Sequence, residues 1–203
     1  DLDIFDATGQ RLDLTATTAA DGSYIIGAMP SGDYSLRADP AISSGLAGSY
    51  YGGNSAPSSA QLITVTASQQ TGGIDIQLST GGWITGAIKD TSGTPISDID
   101  LDVFDLIGNR LYPTKKSGPD GQYTIGPLPA GSVLLRADPQ AMDGFARQYY
   151  AQASNLQTAD PIQVTAGIAT TNINFSLQAA GWIAGTIRDS NGIPLEGIDL
   201  DIY

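Results

Sequence analysis

Apolar and polar residues alternate along this chain in short runs, and turn-forming residues separate one run from the next. In the span 83–90, Ile84, Gly86 and Ile88 fall on one face of an extended backbone. Alternation with a period of two is typical of a half-buried β-strand. The stretch 81–180 contains seven such runs, at 83–90, 98–103, 110–115, 123–125, 132–137, 162–165 and 172–177. The pattern predicts an all-β fold of antiparallel β-sandwiches.

One long segment departs from this alternation. About 20 residues, 139–160, separate two predicted strands, which is long for a connection within a compact domain. The middle of the segment, 146–152, could form one or two turns of helix. Its Gly-rich counterpart at 47–53 makes a helix weaker there, and both stretches contain a Tyr-Tyr pair.

The chain repeats itself with a period of 99 residues. Its first residues, Asp1–Asp6, return at 100–105 and again at 199–203, and 43 of 99 positions are identical in a gapless alignment of the two full periods. Because both ends of the chain fall inside a strand-like run, the natural boundaries are the Gly-rich junctions between runs. These junctions give the C-terminal part of one sandwich (1–80), a complete sandwich of about seven strands (81–180) and the N-terminal strands of the next (181–203).

The chain begins and ends at nearly the same point of the 99-residue period, and two interpretations of this stay open. The chain is either a window on a longer tandem array, which we favour, or a subunit that passes its segment 181–203 to the incomplete first unit of the next molecule. The second arrangement would be strand donation between molecules. The overlap between 199–203 and 1–5 argues against it, because two copies of one strand would compete for one place.

Composition excludes several classes of function. The 203 residues include no Cys and no His, which removes disulfides, zinc fingers, iron–sulfur clusters and the Ser-His-Asp triad. A net charge of −12 without a basic cluster argues against nucleic-acid partners. No apolar run has the roughly 20 residues of a membrane helix, so we expect no membrane insertion. Asp supplies 20 of the 21 acidic residues, and Asp favours turns and strand ends.

Turn and core residues of the complete unit carry a family resemblance. Their order is Gly86, Ile88, Asp90, Gly93, Pro95 and Ile96, then Asp120, Gly121 and Tyr123, then Leu128, Pro129 and Gly131. This order resembles the carboxypeptidase regulatory-like domain and is similar to the B-type repeats of bacterial surface adhesins. The resemblance implies a transthyretin-like (prealbumin-like) or Ig-like sandwich and non-catalytic modules, often in tandem on secreted or surface-anchored proteins.

Acidic side chains alternate along one face of the second predicted strand. Asp100 and Asp102, with Asp105 at the strand end, could supply the hard oxygen ligands that calcium prefers. Residues two apart on a strand are about 7 Å apart, so one strand cannot surround an ion. A solvated strand face is the simpler interpretation. We expect no cofactor, and calcium is the one ion that these residues could bind.

Aromatic residues mark two further places in each repeat. Each Gly-rich junction is followed by a tryptophan, and each long segment holds the Tyr-Tyr pair. The set is Trp83, Trp182, Tyr50, Tyr51, Tyr149 and Tyr150. Packing between neighbouring sandwiches or subunits is the interpretation we favour, since aromatic rings bury a large area. Stacking on sugar rings is the alternative.

These patterns predict a structural repeat of an extracellular surface fibre, filament or adhesin stalk. About four residues join one sandwich to the next, which is too few for free rotation. The repeats would therefore act as stiff, non-catalytic spacers or as polymerising subunits, with other repeats or subunits as partners. The alternatives are a carbohydrate-binding array and an accessory module of a secreted enzyme. We expect the chain at the cell surface and not as an enzyme itself.

Overall fold

The computed structural model describes residues 1–53, 59–111 and 113–200 of the chain. Its regular structure is made of strands, so the predicted all-β fold is confirmed. The strands are β1 (Leu2–Asp6), β2 (Arg11–Ala16), β3 (Gly32–Ala38), β4 (Ser49–Tyr50), β5 (Ile63–Val65), β6 (Gly82–Asp90), β7 (Asp100–Phe104), β8 (Lys115–Lys116), β9 (Gln122–Leu128), β10 (Gly131–Asp138), β11 (Gln148–Tyr149), β12 (Ile162–Val164), β13 (Ala169–Thr170) and β14 (Phe175–Leu177).

The helical elements that lie wholly within the described residues are 3-10 turns of three residues. They span Ile42–Ser44, Ala141–Asp143, Tyr150–Gln152 and Leu156–Thr158. The helix expected at 146–152 is therefore reduced to one 3-10 turn that follows β11 directly. Nothing helical in these ranges has the length or the apolar content to cross a bilayer.

The second repeat is a sandwich of two sheets. One sheet has the order β11-β10-β7-β8, with β12 paired to β10, and all its pairs are antiparallel. The other has the order β13-β6-β14, with β9 paired to β6. The β6–β9 pair is antiparallel, while β13 and β14 run parallel to β6. The apolar faces of the two sheets enclose a core whose members include Ile84, Ile88, Leu101, Val103, Ile125, Leu135 and Leu177, all fully buried.

Strand β6 lies at the centre of the second sheet. In its register Ile84 lies opposite Ile125 of β9, and Ile88 lies beside Phe175 of β14. Gly86 approaches the neighbouring backbone very closely, because a Cβ built on it would lie 1.8 Å from the carbonyl oxygen of Ile173. Only glycine fits at that position.

Two predicted strands differ in extent from those in the structure. The strand expected at 110–115 is reduced to β8, while Arg110 forms an isolated bridge with Phe104. Pro113 has no N–H to donate to a ladder, whereas β2 runs through the matching position in the first repeat, which is Leu14. The strand expected at 172–177 is shortened to β14, and Asn172, at the start of the expected strand, has a left-handed φ of 63°.

The first repeat contains one sheet with its own core. The strand order is β2-β1-β3-β4, with β5 paired to β3. Its buried apolar residues, Leu2, Ile4, Tyr34, Leu36, Ala38 and Ile63, form a cluster separate from that of the second repeat. Residues 23–29 and 70–78, which match β9, β13 and β14 at the 99-residue offset, form no strand.

Residues 181–200 also contain no strand of two or more residues. Their order is local, with a turn closed by the bridge between Arg188 and Pro194 and a bond from the Leu195 N–H to the Ile187 carbonyl. Strand β6 bonds to strands that follow it in the chain, and no such strands follow 181–189 among the described residues. Residues 201–203 are the last residues of the predicted third unit (181–203), and they lie outside the described residues.

Replacing Gly86 with alanine should strongly destabilise the second repeat. The added methyl group would overlap the Ile173 carbonyl, so β6 would have to move away from the 172–174 backbone. We expect a loss of about 3 kcal/mol or more in the free energy of unfolding, at the upper end for overpacking, measured by chemical denaturation. Gly185→Ala is the matched control, because nothing lies within 4 Å of its Cβ position. Equal stability of the two variants would contradict the placement of β6.

Candidate self-association site

An open groove runs along the apolar side of the first repeat. It has a volume of about 570 Å³. Its floor includes Ile4, Leu36 and Ile63, which belong to the first core. Its walls are the irregular segments 22–29 and 68–75.

The groove lies where the second repeat holds β6. At the 99-residue offset, the wall 22–29 corresponds to β9 and the wall 68–75 includes the counterpart of β13. Both of those strands bond to β6. No strand lies between the two walls in the described residues of the first repeat. The groove is the space that a β6 counterpart would fill.

Apolar side chains along the groove are less buried than their counterparts in the second repeat. Ile26, Ile74, Ile76 and Leu78 are half-buried, whereas Ile125, Ile173, Phe175 and Leu177 are buried. Ile125, for example, is 0% exposed. Because these side chains lack a central strand to pack against, part of their apolar surface stays in water, and this disfavours folding of this side of the repeat.

One hydrogen bond holds the two walls together. The Tyr24 hydroxyl donates to the Ile74 carbonyl at 2.5 Å. The equivalent hydroxyl of Tyr123 donates to the Ile173 carbonyl. Burial raises the pKa of both phenols, so both stay protonated as donors at neutral pH. The two walls of the groove are therefore joined by the same hydrogen bond as in the second repeat, where β6 is in place.

The segment 181–189 leaves the second repeat as an exposed, apolar extended chain. Within it, Ile183 is 90% exposed and Trp182 is 74% exposed. The corresponding isoleucine of β6, Ile84, is 0% exposed. A sequence that forms the centre of one sheet is thus in contact with solvent one repeat later.

Both repeat junctions are held by the same backbone contacts. At the first, the Gly81 N–H donates to the Gly45 carbonyl at 2.9 Å and the Ala47 N–H donates to Ser79 at 2.9 Å. At the second, Ala180 donates to Gly144 and Ala146 to Gln178, each at 2.8 Å, which are the same positions 99 residues later. Bridges Leu46–Thr80 and Phe145–Ala179 complete the two sets. Each repeat therefore fixes the direction in which the next begins.

Of the predicted aromatic set, the tryptophans lie beside the junctions. The ring of half-buried Trp83 lies next to Gly126 of its own repeat and extends toward Gly45 of the first. Trp182 lies at the equivalent place after the second junction, where it is largely exposed.

The tyrosine pairs pack inside their own repeats, unlike the expectation of packing between repeats. Tyr50 packs on Phe5 with ring centroids 5.8 Å apart, and Tyr149 packs on Phe104 at 6.3 Å. Tyr150 packs edge-on against Phe175, and Tyr51 packs on the first core. Buried at 5% and 8% exposure, the rings of Tyr50 and Tyr149 offer no open face for a sugar.

The acidic face of β7 is covered, which corrects the expectation of a solvated strand face. Asp102 is only 1% exposed and binds Arg136 at 2.8 Å, Thr114 at 3.0 Å and Arg110. The Arg136 guanidinium lies 4.9 Å from the centroid of the Phe104 ring. The first repeat has the same arrangement, with Asp3 bound to Arg11 and Arg37.

Electrostatics keep Asp102 ionised despite its burial. Burial alone would raise the pKa of this carboxyl. Hydrogen bonds from Arg136 and Thr114 and the charge of Arg110 outweigh burial and hold the pKa below its ordinary value. Sequence reasoning missed these arginines, although both stand at positions that are identical in the two repeats.

The three predicted calcium ligands do not converge. Asp100 accepts from Gln140 at 2.8 Å, and Asp105 accepts from the N–H groups of Ile107 and Asn109 in its own turn. Within the described ranges, no group of three or more acidic side chains could hold a metal ion. Calcium at these residues stays a prediction.

Many other aspartates stabilise turns. Asp90 accepts from the N–H groups of Ser92 and Thr94, and Asp189 repeats these bonds with Asn191 and Ile193. The hydrogen bond from the Ser92 side chain, with those from the backbone, lowers the pKa of Asp90. Such bonds explain why the acidic residues of this chain are aspartates.

No protein-family model matches the chain, and no curated protein matches it. The resemblance to the carboxypeptidase regulatory-like domain therefore stays a prediction. Several solved structures are distantly similar to the chain. The Bacillus anthracis TIE protein is 12% identical over 87% of this chain and 29% of its own length, with a TM-score of 0.36. The chain thus spans less than a third of that protein.

Two further solved structures that are similar to the chain are pilins. GBS52, the minor pilin of Streptococcus agalactiae, is 10% identical over 92% of this chain and 85% of its own, with a TM-score of 0.37. BcpA, the major pilin subunit of Bacillus cereus, is 12% identical over 88% of this chain and 55% of its own, with a TM-score of 0.34. Because these likenesses are distant, the function proposed below rests on the chain's own contacts.

Replacing Asp102 with asparagine should cost about 3 kcal/mol of stability at pH 7, the lower end for a broken buried ion pair, because Arg136 then keeps only the carboxylate of Asp138. The pKa of Asp102 is lower in the folded than in the unfolded chain. Its contribution is therefore full above about pH 4 and is lost as the pH falls further. Melting curves at pH 7 and pH 3 should show a smaller acid-induced loss in the variant than in the parent chain. Asp98→Asn, at a largely exposed ion pair, is the control and should change stability by about 1 kcal/mol at most. An Asp102→Asn chain as stable as this control would contradict the network.

Adding EDTA should leave the melting temperature unchanged, because Asp100, Asp102 and Asp105 already bind protein donors. Differential scanning calorimetry with and without 1 mM chelator, an amount on the order of a hundredfold over protein, checks this. A lower melting temperature that added calcium restores would instead assign an ion to these residues.

Proposed function

We propose that this chain is a structural repeat of an extracellular surface fibre or stalk. Its sandwiches act as stiff, non-catalytic units, and the junctions transmit direction from one to the next. The chain's partners in this role are other repeats and other subunits of its own kind.

The observation that carries this proposal is the repetition of the junction contacts. A flexible linker would let neighbouring units rotate, but here backbone hydrogen bonds hold Gly81, directly before β6, and Ala180, directly before the matching segment 181–189. Gly81 packs so tightly that a Cβ on it would lie 2.3 Å from the Pro127 Cβ. Contacts that recur every 99 residues fix the place at which the chain leaves each repeat, and such a repeated exit favours a rod-like array.

The net charge of the chain and its aspartate–arginine ion pairs support the same role. The net charge of −12 keeps acidic rods apart in solution. The buried carboxylates Asp3 and Asp102 are saturated by arginines, and the exposed aspartates mainly close turns. Acids used in this way stabilise a scaffold.

A rigid junction predicts a narrow distance distribution between spin labels on the two repeats. The chain has no cysteine, so Asp13→Cys and Thr124→Cys provide two exposed labelling sites, one on β2 and one on β9. Double electron–electron resonance should give one narrow peak. Gly81→Val should broaden it, because relieving the overlap with Pro127 breaks the bond to Gly45.

The matched control for this measurement is Gly72→Val, because nothing lies within 4 Å of a Cβ at Gly72. Its distribution should equal that of the parent chain. Circular dichroism checks that each variant keeps its strands. A broad distribution in the parent chain would contradict the stiff-spacer role.

A further inference from the structure

We propose that residues 149–153 of the second repeat form a strained clasp between its two sheets, and that this clasp opens by itself while the rest of the sandwich stays folded. The inference rests on the proposed fibre role, because it gives a stiff unit one place that yields without loss of the fold. The name clasp is used below for residues 149–153.

Two neighbouring tyrosines of the clasp pack on different sheets. Tyr149 of β11 lies opposite Arg136 of β10, and its ring packs on Phe104 of β7 with centroids 6.3 Å apart. The ring of Tyr150 packs edge-on against Phe175 of β14, also at 6.3 Å. Strands β10 and β7 belong to one sheet, whereas β14 belongs to the other. Consecutive residues therefore connect the two sheets at this edge of the sandwich.

The backbone that follows the tyrosines is left-handed at two residues that disfavour this conformation. Ala151 has a φ of 61° and Gln152 a φ of 64°, and no other two successive non-glycine residues within the described ranges have a positive φ. The matching residues of the first repeat are Gly52 and Gly53, with φ of 93° and 80°. A left-handed backbone brings a Cβ too close to the next carbonyl oxygen, but glycine has no Cβ. The clasp of the second repeat is therefore strained where its counterpart is not.

Only contacts at the two ends of the strained pair hold it in place. The Tyr149 N–H donates to the Ala153 carbonyl at 2.8 Å, and the same two residues form a β-bridge. The side chains of Ala151 and Gln152 are exposed, so their packing does not offset the strain. Strained backbone persists only while its surroundings enforce it. Loss of the Tyr149–Ala153 bond would let both residues return to an ordinary backbone, which favours opening.

Two anchors limit how far the opening extends along the chain. Before the clasp, the Ala146 N–H donates to the Gln178 carbonyl at 2.8 Å. After it, β12 pairs with β10, with Ile162 opposite Val133. Both anchors lie outside the clasp, and the first of them is one of the junction contacts. The clasp can therefore open while the unit keeps its fold and the direction in which the chain leaves it.

Native-state hydrogen exchange on the full chain tests the proposal through two amides. The Tyr149 N–H reports the clasp, because opening breaks its bond to Ala153. The Ile88 N–H donates to the Gly121 carbonyl at 2.8 Å from the central strand β6, so it reports unfolding of the sandwich. We expect the protection factor of Tyr149 to be at least about tenfold lower than that of Ile88.

Glycines taken from the first repeat should keep the clasp closed. The double variant Ala151→Gly with Gln152→Gly removes the strain and should raise the protection factor of Tyr149 about tenfold. Gln157→Gly is the matched control, because this nearby residue has no positive φ, and it should not raise the protection factor. Circular dichroism checks that both variants keep their strands.

A core variant separates opening of the clasp from unfolding of the repeat. Ile84→Val shortens a fully buried side chain of β6 and should lower the protection factor of Ile88 about fivefold, while that of Tyr149 stays the same. The proposal is overturned if the protection factor of Tyr149 falls together with that of Ile88, or if the double glycine variant protects Tyr149 no better than Gln157→Gly. The spin-label distances measure the junction and not the clasp, so a failure here and a failure of the fibre role are distinguishable.

Discussion

The structure depends on the position of β6 at the centre of its sheet. Strands β9, β13 and β14 all bond to β6. Since each needs the same partner, the sheet forms as a whole or not at all. The two repeats show both outcomes in one chain: with β6 in place the three strands form, and without a counterpart the matching residues stay irregular around a groove of about 570 Å³.

A second constraint acts on the other sheet, which forms in both repeats. Its strands β7 and β10, like β1 and β3, carry an aspartate and arginines that bind each other under a cover of aromatic rings. This sheet keeps its strands without the β6 sheet, although its apolar face is then partly open. The second repeat thus consists of one sheet that also forms in the first repeat and a second sheet whose other strands all bond to β6.

Sequence patterns predicted the architecture well because it depends on local alternation and on repetition. The all-β sandwich and the turns closed by Asp90 and Asp189 follow from residues near one another in the chain, and the 99-residue period follows from comparing distant segments. The burial of Asp102 could not be predicted this way, since Arg136 and Thr114 come from other elements. The tyrosine pairs were likewise assigned to the junction because nothing local shows that Phe104 and Phe175 lie beneath them.

Native-state hydrogen exchange is the most direct test of the role of β6. In the second repeat the amides of β9 and β14 should be protected, because both strands bond to β6. The amides of 23–29 and 76–78 in the first repeat, which form no strand, should exchange much faster. Equal protection of the matching segments in the two repeats would contradict the central role of β6.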